Sequence, residues 1–124
     1  MAAPPDPSLI LKKVVIRLKA LYDAPDNALP YFRSEVAKNP SDAQMAYGYA
    51  LVLARTGKRQ EAAEYLKAAL AQNALDPVIL GDLGRVYFLD GQYEKALSTL
   101  SGATSSGDAN PEALFYLGRT QMEL

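Results

Sequence analysis

The sequence contains no cysteine and no histidine. Without cysteine, the chain can form neither a disulfide nor a thiolate metal site. Without histidine, it lacks the side chain that most often serves as general base and as zinc ligand. We therefore expect no metal, no other cofactor and no enzymatic activity.

The sequence also has no excess of charge of one sign and no long apolar run. Thirteen basic and fourteen acidic residues give a net charge of −1, so we do not expect nucleic acid or an anionic membrane as partner. The longest apolar run, Tyr47 to Ala54, is far shorter than the ~20 residues that span a bilayer, which predicts no membrane insertion. Met1 to Pro7 lacks the regions of a signal peptide and is interpreted as a linker or cloning remnant.

Catalytic motifs such as HExxH, CxxC and GxxxxGK[ST] are absent from the sequence. Glycines at 81, 84 and 91 do not indicate a phosphate loop, because no strand precedes them and a helical pattern surrounds the first two. Asp82, Asp90 and Glu94 are predicted at turn, cap or solvent-facing positions. At 124 residues the chain is expected to form one domain that buries about two thirds of its unfolded surface.

The clearest pattern runs from Asp76 to Gly102 and predicts two helices joined by a tight turn at Asp90-Gly91. Asp76 is a favourable N-cap, and Pro77 suits the first helical position. Apolar or small residues recur at helical spacing in both halves: Leu80, Leu83, Gly84 and Tyr87 in the first, and Tyr93, Ala96, Leu97 and Leu100 in the second. Gly84 is predicted to face Ala96 and to let the helices approach closely.

The same pattern recurs along the chain with a period of about 34 residues. One repeat earlier, Gly91, Ala96 and Leu100 become Gly57, Ala62 and Leu66, and another shift gives Ala28 and Phe32. One repeat later, Pro77, Leu83-Gly84 and Arg85 become Pro111, Leu117-Gly118 and Arg119. In this spacing the chain resembles tetratricopeptide repeat (TPR) proteins from about Ser41 to Leu124. The resemblance implies an all-α fold, a right-handed superhelix of stacked antiparallel helix pairs with about seven helices.

We expect a tail at 1–7 and a single domain at 8–124. The domain divides into a divergent N-terminal pair (8–40), two repeats (41–76 and 77–110) and a half repeat (111–124). The bounds of four helices are predicted from caps and breakers. These helices are 8–22 capped by Ser8 or Asp6, 26–39 capped by Asp26, 41–56 with a Ser41–Gln44 capping box, and Arg59 to Asn73.

The first and last helices are expected to behave differently. The first has an apolar stripe predicted to face the core (Leu11, Val14, Val15, Leu18, Leu21 and Tyr22) opposite a basic face, and the pair at 8–39 is predicted to cover the end of the array. The basic face is interpreted as solvated rather than as a lipid or acidic-partner surface. The last helix lacks a second helix and keeps many apolar residues, so we favour a fragment of a longer array, with a homodimer through this half repeat as a possibility.

Function is predicted on the inner surface of the superhelix. The TPR resemblance implies that inner positions of the first helices are Gln44, Tyr47, Leu51, Arg55, Val78, Gly81, Arg85, Phe88, Leu89, Glu112, Phe115, Arg119 and Met122. Tyr47, Phe88 and Phe115 would form an aromatic ladder beside Arg55, Arg85 and Arg119. Aromatic residues and arginine dominate binding energy at many interfaces. We therefore expect a module that binds a protein or peptide segment in an apolar groove with cationic positions.

Two alternatives remain open at this point. The groove residues could instead be covered by a parent protein or by a second copy. The stretches from Leu11 to Tyr22, Tyr31 to Arg33 and Ala43 to Ala50 also resemble the segment before the repeats of BepA/YfgC-like bacterial zinc metallopeptidases. That resemblance implies a periplasmic appendage that docks onto a catalytic domain. The lysine and asparagine set that clamps a terminal carboxylate in heat-shock co-chaperones is missing, which disfavours that role.

Overall fold

The computed structural model describes residues 7–72, 76–105 and 110–124, which form seven α-helices and no strand. In chain order these are α1 (Pro7–Tyr22), α2 (Pro25–Lys38), α3 (Ala43–Arg55), α4 (Arg59–Leu70), α5 (Pro77–Leu89), α6 (Tyr93–Ala103) and α7 (Pro111–Glu123). The predicted all-α class is confirmed. The predicted tail lies outside the described residues except for Pro7, which begins α1.

From α3 onward the helices stack as consecutive pairs, whereas α1 and α2 both pack mainly on α3 rather than on each other. The hairpins α3–α4 and α5–α6 pack most closely, while α2 packs on α3, α4 on α5 and α6 on α7. First helices also meet directly, α1 with α3 and α5 with α7. Because each pair packs on the next, the chain is a helical-repeat solenoid.

The period of the repeat is visible in the core. On the second helices, Ala28, Ala62 and Ala96 are fully buried, as are Phe32, Leu66 and Leu100. The small residues bring the helix backbones close, and the large ones fill the space between neighbouring helices. Counting by this period therefore identifies two buried positions on each of α2, α4 and α6 correctly.

Two glycines of the first helices allow this close packing, and large side chains of neighbouring helices lie nearest to them. The three heavy atoms nearest to a Cβ built at Gly84 all belong to Leu100, the first at 2.4 Å, rather than to Ala96. At Gly48 the corresponding atoms belong to Phe32, at 2.4 Å, and Ile16, at 2.8 Å. A large side chain from a neighbouring helix thus fills the space that each glycine leaves.

Caps fix where the helices begin. The predicted Asp76 cap is confirmed, and Asn110 caps α7 in the same way. The prediction for α3 is wrong, because Asp42 rather than Ser41 is the N-cap: its Oδ1 accepts from the backbone N–H groups of Gln44 and Met45 at 3.0 and 3.3 Å. Asp42 directly precedes the first helical residue, so its carboxylate reaches these N–H groups.

Other boundaries also differ from the prediction. Helix α2 begins one residue before Asp26, with Ala24 as N-cap and Pro25 at the first position, so Asp26 lies in the first turn. Ser8 lies within α1, and the alternative cap Asp6 is outside the described residues. Helix α4 ends at Leu70, and its predicted end, Asn73, is also outside them.

Glycines in the left-handed conformation end α3 and α5. Gly57 and Gly91, which occupy equivalent positions in successive repeats, have φ of +83° and +79°. At each site the following residue donates its N–H back to the helix: Lys58 to the Leu53 carbonyl and Gln92 to the Tyr87 carbonyl, both at 2.9 Å. This is the Schellman arrangement, in which glycine avoids the Cβ clash of a positive φ. The predicted turn at Asp90-Gly91 is confirmed.

The predicted orientation of α1 is wrong. Its buried residues are Ile16 and Ala20, whereas the stripe expected in the core is largely exposed: Leu11 63%, Val14 48%, Val15 53%, Leu18 52% and Tyr22 77%. Helix α1 meets α3 through the face that carries Ile16, since this residue fits against Gly48. An apolar face therefore remains uncovered at this end of the solenoid.

Candidate functional site

Most of the predicted groove positions lie at the surface of the first helices. Val78, Leu89 and Phe115 are 43%, 47% and 55% exposed. Arg55 and Arg119 are exposed as well, and four positions are half-buried: Gln44, Tyr47, Arg85 and Phe88. Leu51 contradicts the prediction, because it is only 1% exposed and belongs to the hydrophobic core. Its helix is enclosed by α1, α2 and α4, which leaves this position no solvent-facing surface.

A chain of polar contacts joins all four first helices, and we call it the polar bridge (Arg17, Tyr47, Asp82, Arg85 and Glu112). Tyr47 Oη donates to Asp82 Oδ2 at 2.6 Å and accepts from Arg17 Nη1. Arg17 Nη1 lies 3.5 Å from the same Asp82 oxygen. Arg85 completes the chain, with Nη2 3.8 Å from Asp82 Oδ1 and Nη1 3.4 Å from Glu112 Oε1.

Asp82 is the residue of the polar bridge that the sequence interpretation placed wrongly. It was predicted at a turn, cap or solvent-facing position, but it is 8% exposed. Burial raises the pKa of its carboxyl group to about 6, even though Arg17 and Arg85 act in the opposite direction. One signal was available: Asp82 and Arg85 are the two charged residues of an otherwise apolar α5, one turn apart.

A pocket of about 380 Å³ opens beside the polar bridge, between α1, α3, the end of α4 and the start of α5. Its walls are mainly apolar. The polar lining residues are Arg17, Gln44, Tyr47, Gln72 and Asp76, and the apolar ones are Ile16, Ala43, Ala69, Val78 and Ile79. Gln44 Oε1 is buried and has no hydrogen-bond partner among the described residues. The pocket can thus take an apolar group, and one residue of its wall has a buried acceptor without a partner.

A second feature is an aromatic cluster on α5 and α7 (Phe88, Phe115, Tyr116 and Arg119). The guanidinium of Arg119 lies 5.7 Å from the ring centroid of Phe88 and 5.8 Å from that of Phe115. Tyr116 contacts both rings, with centroid distances of 5.5 and 5.2 Å. Phe88 and Phe115 are therefore brought together as predicted. Tyr47 contacts Arg17 and Asp82 instead, so the expected ladder is divided into two sites.

Two of the predicted arginines are held by intramolecular contacts. Arg85 is part of the polar bridge. Arg55 Nη1 donates to the carbonyl oxygen of Ala20 at 2.7 Å, which satisfies a backbone acceptor in the last turn of α1. Arg119 is the predicted arginine that lies among aromatic residues, of which Phe115 is exposed.

Catalytic or membrane-embedded features were also sought in the described residues. Among residues 7–72, 76–105 and 110–124, no cluster of three or more aspartate or glutamate side chains could hold a metal ion. No helix in these segments is both long enough and apolar enough to cross a bilayer.

Two family models of the tetratricopeptide repeat match the sequence, one over residues 53–117 and the other over residues 23–77. The second match includes α2, which the resemblance at Ser41 to Leu124 left out. No curated protein matches the chain.

Two solved structures show the same fold. The type III secretion chaperone SycD of Yersinia enterocolitica, in complex with a peptide of the translocator YopD, is 13% identical with a TM-score of 0.73, and the match covers 96% of each chain. MamA protein is 19% identical with a TM-score of 0.74, over 93% of this chain and 68% of MamA.

None of these matches points to a metallopeptidase, so the BepA/YfgC-like resemblance stays a prediction. The family itself is shown, because one of the models spans more than half of the 124 residues and the matched segment contains the buried repeat pattern. The chain belongs to the tetratricopeptide repeat family.

Proposed function

We propose that this chain is a protein–protein interaction module that binds a peptide segment along its first helices, α1, α3, α5 and α7. The observation that carries the proposal is the aromatic cluster: Phe115 is 55% exposed beside the Arg119 guanidinium. A ring held in place next to a cation offers apolar contact area and a charge at small cost in side-chain entropy.

The pocket beside the polar bridge would serve as a second contact site for the same peptide. Its apolar walls suit an aliphatic or aromatic side chain of the partner. Gln44 lines the pocket, and rotation of its side chain would turn the amide toward a peptide backbone and hold an extended segment in register. An apolar peptide with an acidic residue that reaches Arg119 fits both features.

The SycD structure supports the proposal by analogy of fold, since that protein was solved with a peptide of the translocator YopD. At 13% identity the likeness extends to the fold alone. The peptide for the present chain has to be identified experimentally.

A peptide-display screen followed by titration calorimetry tests the proposal. We expect Phe115→Ala to weaken the selected peptide at least tenfold, because a well-packed aromatic contact contributes about 2 kcal/mol. Phe115 is preferable to Phe88 or Arg85, because it is exposed whereas they are half-buried. Tyr22→Ala is a matched control, since Tyr22 is an aromatic residue 77% exposed on α1.

Both variants should unfold at the temperature of the parent chain, because their side chains are largely exposed. Equal affinities of Phe115→Ala and the parent chain, or an equal loss in Tyr22→Ala, would contradict the proposed groove.

A further inference from the structure

Arg17 is the cation of the pocket wall, and Asp82 is the acid that neutralises it. The guanidinium lines the pocket, and 38% of the Arg17 side chain is exposed. Among the described residues, the ion pair of Arg17 is the one to Asp82, with 3.5 Å from Nη1 to Oδ2. Because opposite charges this close offset each other, a bound peptide meets little net charge here while Asp82 is ionised.

Tyr47 keeps Arg17 at the pocket whether or not Asp82 is charged. Tyr47 Oη accepts a hydrogen bond from Arg17 Nη1, and the guanidinium carbon lies 5.8 Å from the centre of the Tyr47 ring. A cation is attracted to the face of an aromatic ring without the help of a carboxylate. Loss of the Asp82 charge therefore leaves a positioned guanidinium with no acidic partner in the part of the chain that the structure describes.

We propose that Asp82 sets the charge preference of the pocket: when its carboxylate takes up a proton, Arg17 becomes free to pair with an acidic residue of the bound peptide. The inference rests on the proposed function, because it assigns a partner residue and a form of regulation to the same peptide site. An acidic peptide should then bind more tightly to the neutral form of Asp82 than to the ionised form. By linkage, binding of such a peptide should also take up protons.

The other charged groups near Asp82 on α5 and α7 keep their partners when Asp82 is neutral. Arg85 lies between Asp82 and Glu112, so it retains its ion pair with Glu112. Asp76, which also lines the pocket, accepts from two backbone N–H groups at the start of α5. Arg17 is thus the cation at the pocket wall whose charge is exposed by protonation of Asp82.

The pH range of this effect is set by Asp82 itself. From α4 and α6, Lys67 and Lys95 lie over the ring of Tyr87. The sequence has no histidine and no cysteine, the side chains that most often titrate between pH 5 and pH 8. Burial raises the pKa of Asp82 to about 6, so this carboxyl group is largely protonated at pH 5 and ionised at pH 8.

Titration calorimetry at pH 5 and pH 8 tests the inference with a peptide selected by display at pH 5, acetylated and amidated so that its ends carry no charge. We expect the parent chain to bind it about tenfold more tightly at pH 5, an ordinary coupling between two binding events. Asp82→Asn should bind it equally at both pH values, about as tightly as the parent does at pH 5. Asp26→Asn, which removes an exposed carboxylate of α2, is the matched control and should keep the pH dependence of the parent.

Two further measurements identify the groups that interact. At pH 7, calorimetry in buffers of different ionisation enthalpy should show proton uptake when the peptide binds to the parent chain, and none with Asp82→Asn. A copy of the peptide with glutamine and asparagine in place of its acidic residues should bind without pH dependence. Arg17→Met should also lose the pH dependence, and circular dichroism checks that this variant keeps its helix content.

Equal affinities of the parent chain at pH 5 and pH 8, or a pH dependence that persists in Asp82→Asn, overturn the inference. Tighter binding of the parent at pH 8 does so too, because ionised Asp82 would then assist peptide binding. These outcomes leave the proposed function standing, since the peptide still binds. If neither pH yields a peptide whose binding depends on Phe115, the proposed function fails, and this inference fails with it.

Discussion

Asp82 shows how neighbouring helices change the chemistry of one side chain. In an isolated α5 its carboxylate would be solvated, but here it is 8% exposed and receives contacts from Tyr47, Arg17 and Arg85. Burial favours the neutral acid and raises the pKa of Asp82 from 3.8 to about 6. Because the folded chain then holds this proton to a higher pH than the unfolded chain, ionisation of Asp82 opposes folding.

The sign of this linkage gives a prediction for Asp82→Asn. The contribution of the Asp82 carboxyl group to the stability of the parent chain is fully present below pH 4 and is lost as the pH rises through about 6. Asparagine carries no charge, so at pH 8 the variant should have a higher free energy of unfolding than the parent, by roughly 1–3 kcal/mol. At pH 4 the difference should be much smaller. Urea unfolding at both pH values measures it.

Asp26→Asn serves as the control, since it removes an exposed carboxylate from the first turn of α2. If Asp82→Asn is instead less stable than the parent at pH 8, then Arg17 and Arg85 outweigh burial and Asp82 is stabilising in its charged form.

At the scale of the helix, end positions are set by which polar side chain can reach the free N–H groups. Ser41 and Asp42 both suit an N-cap, and the glutamine three residues after Ser41 favoured the wrong one. In the structure the Ser41 hydroxyl hydrogen-bonds the Asn39 side chain, while Asp42 accepts from two N–H groups of α3 and pairs with Lys12 at 3.4 Å.

Removal of the true cap should therefore destabilise the chain. We expect Asp42→Ala to lower the free energy of unfolding by about 1 kcal/mol, the usual loss at an aspartate N-cap. Ser41→Ala should change it by a few tenths of a kcal/mol at most. Urea unfolding measures both losses. Equal losses in the two variants would contradict the assignment of Asp42 as the N-cap of α3.

The helices also show what could be predicted from the sequence and what could not. Repetition identified Ala62, Ala96, Leu66 and Leu100 as core residues, because equivalent residues in a solenoid have equivalent neighbours. The predictions that did not rest on repetition failed: the α1 stripe came from apolar periodicity alone, and Leu51 was placed by the TPR resemblance. A helix with apolar residues on several sides can bury any of them, and the packing of α1 against α3 decides which. The aromatic cluster was predicted in part, since Phe88 and Phe115 both lie beside Arg119, whereas Tyr47 lies beside Arg17.

At the scale of the whole molecule, the polar bridge departs from the usual behaviour of a solenoid. Repeats normally contact only the repeats next to them, so the stability of the array is approximately a sum of the stabilities of single repeats and of the interfaces between neighbours. Here Arg17 of α1 reaches Asp82 of α5, 65 residues away in the chain, and passes over the α3–α4 pair. The first and third pairs are thereby coupled directly as well as through the pair between them.

A double-mutant cycle tests this coupling. Arg17→Met keeps much of the apolar stem and removes the charge 3.5 Å from Asp82 Oδ2. Combined with Asp82→Asn, it should give an interaction energy of roughly 0.5–3 kcal/mol, the range for residues within one network. Lys19→Met in place of Arg17→Met is the matched control, because Lys19 lies on the same helix but pairs with Asp23 at 3.0 Å. Its cycle with Asp82→Asn should be additive. If the Arg17 cycle is additive too, the chain behaves as a solenoid of nearest neighbours, and the polar bridge joins adjacent helices only.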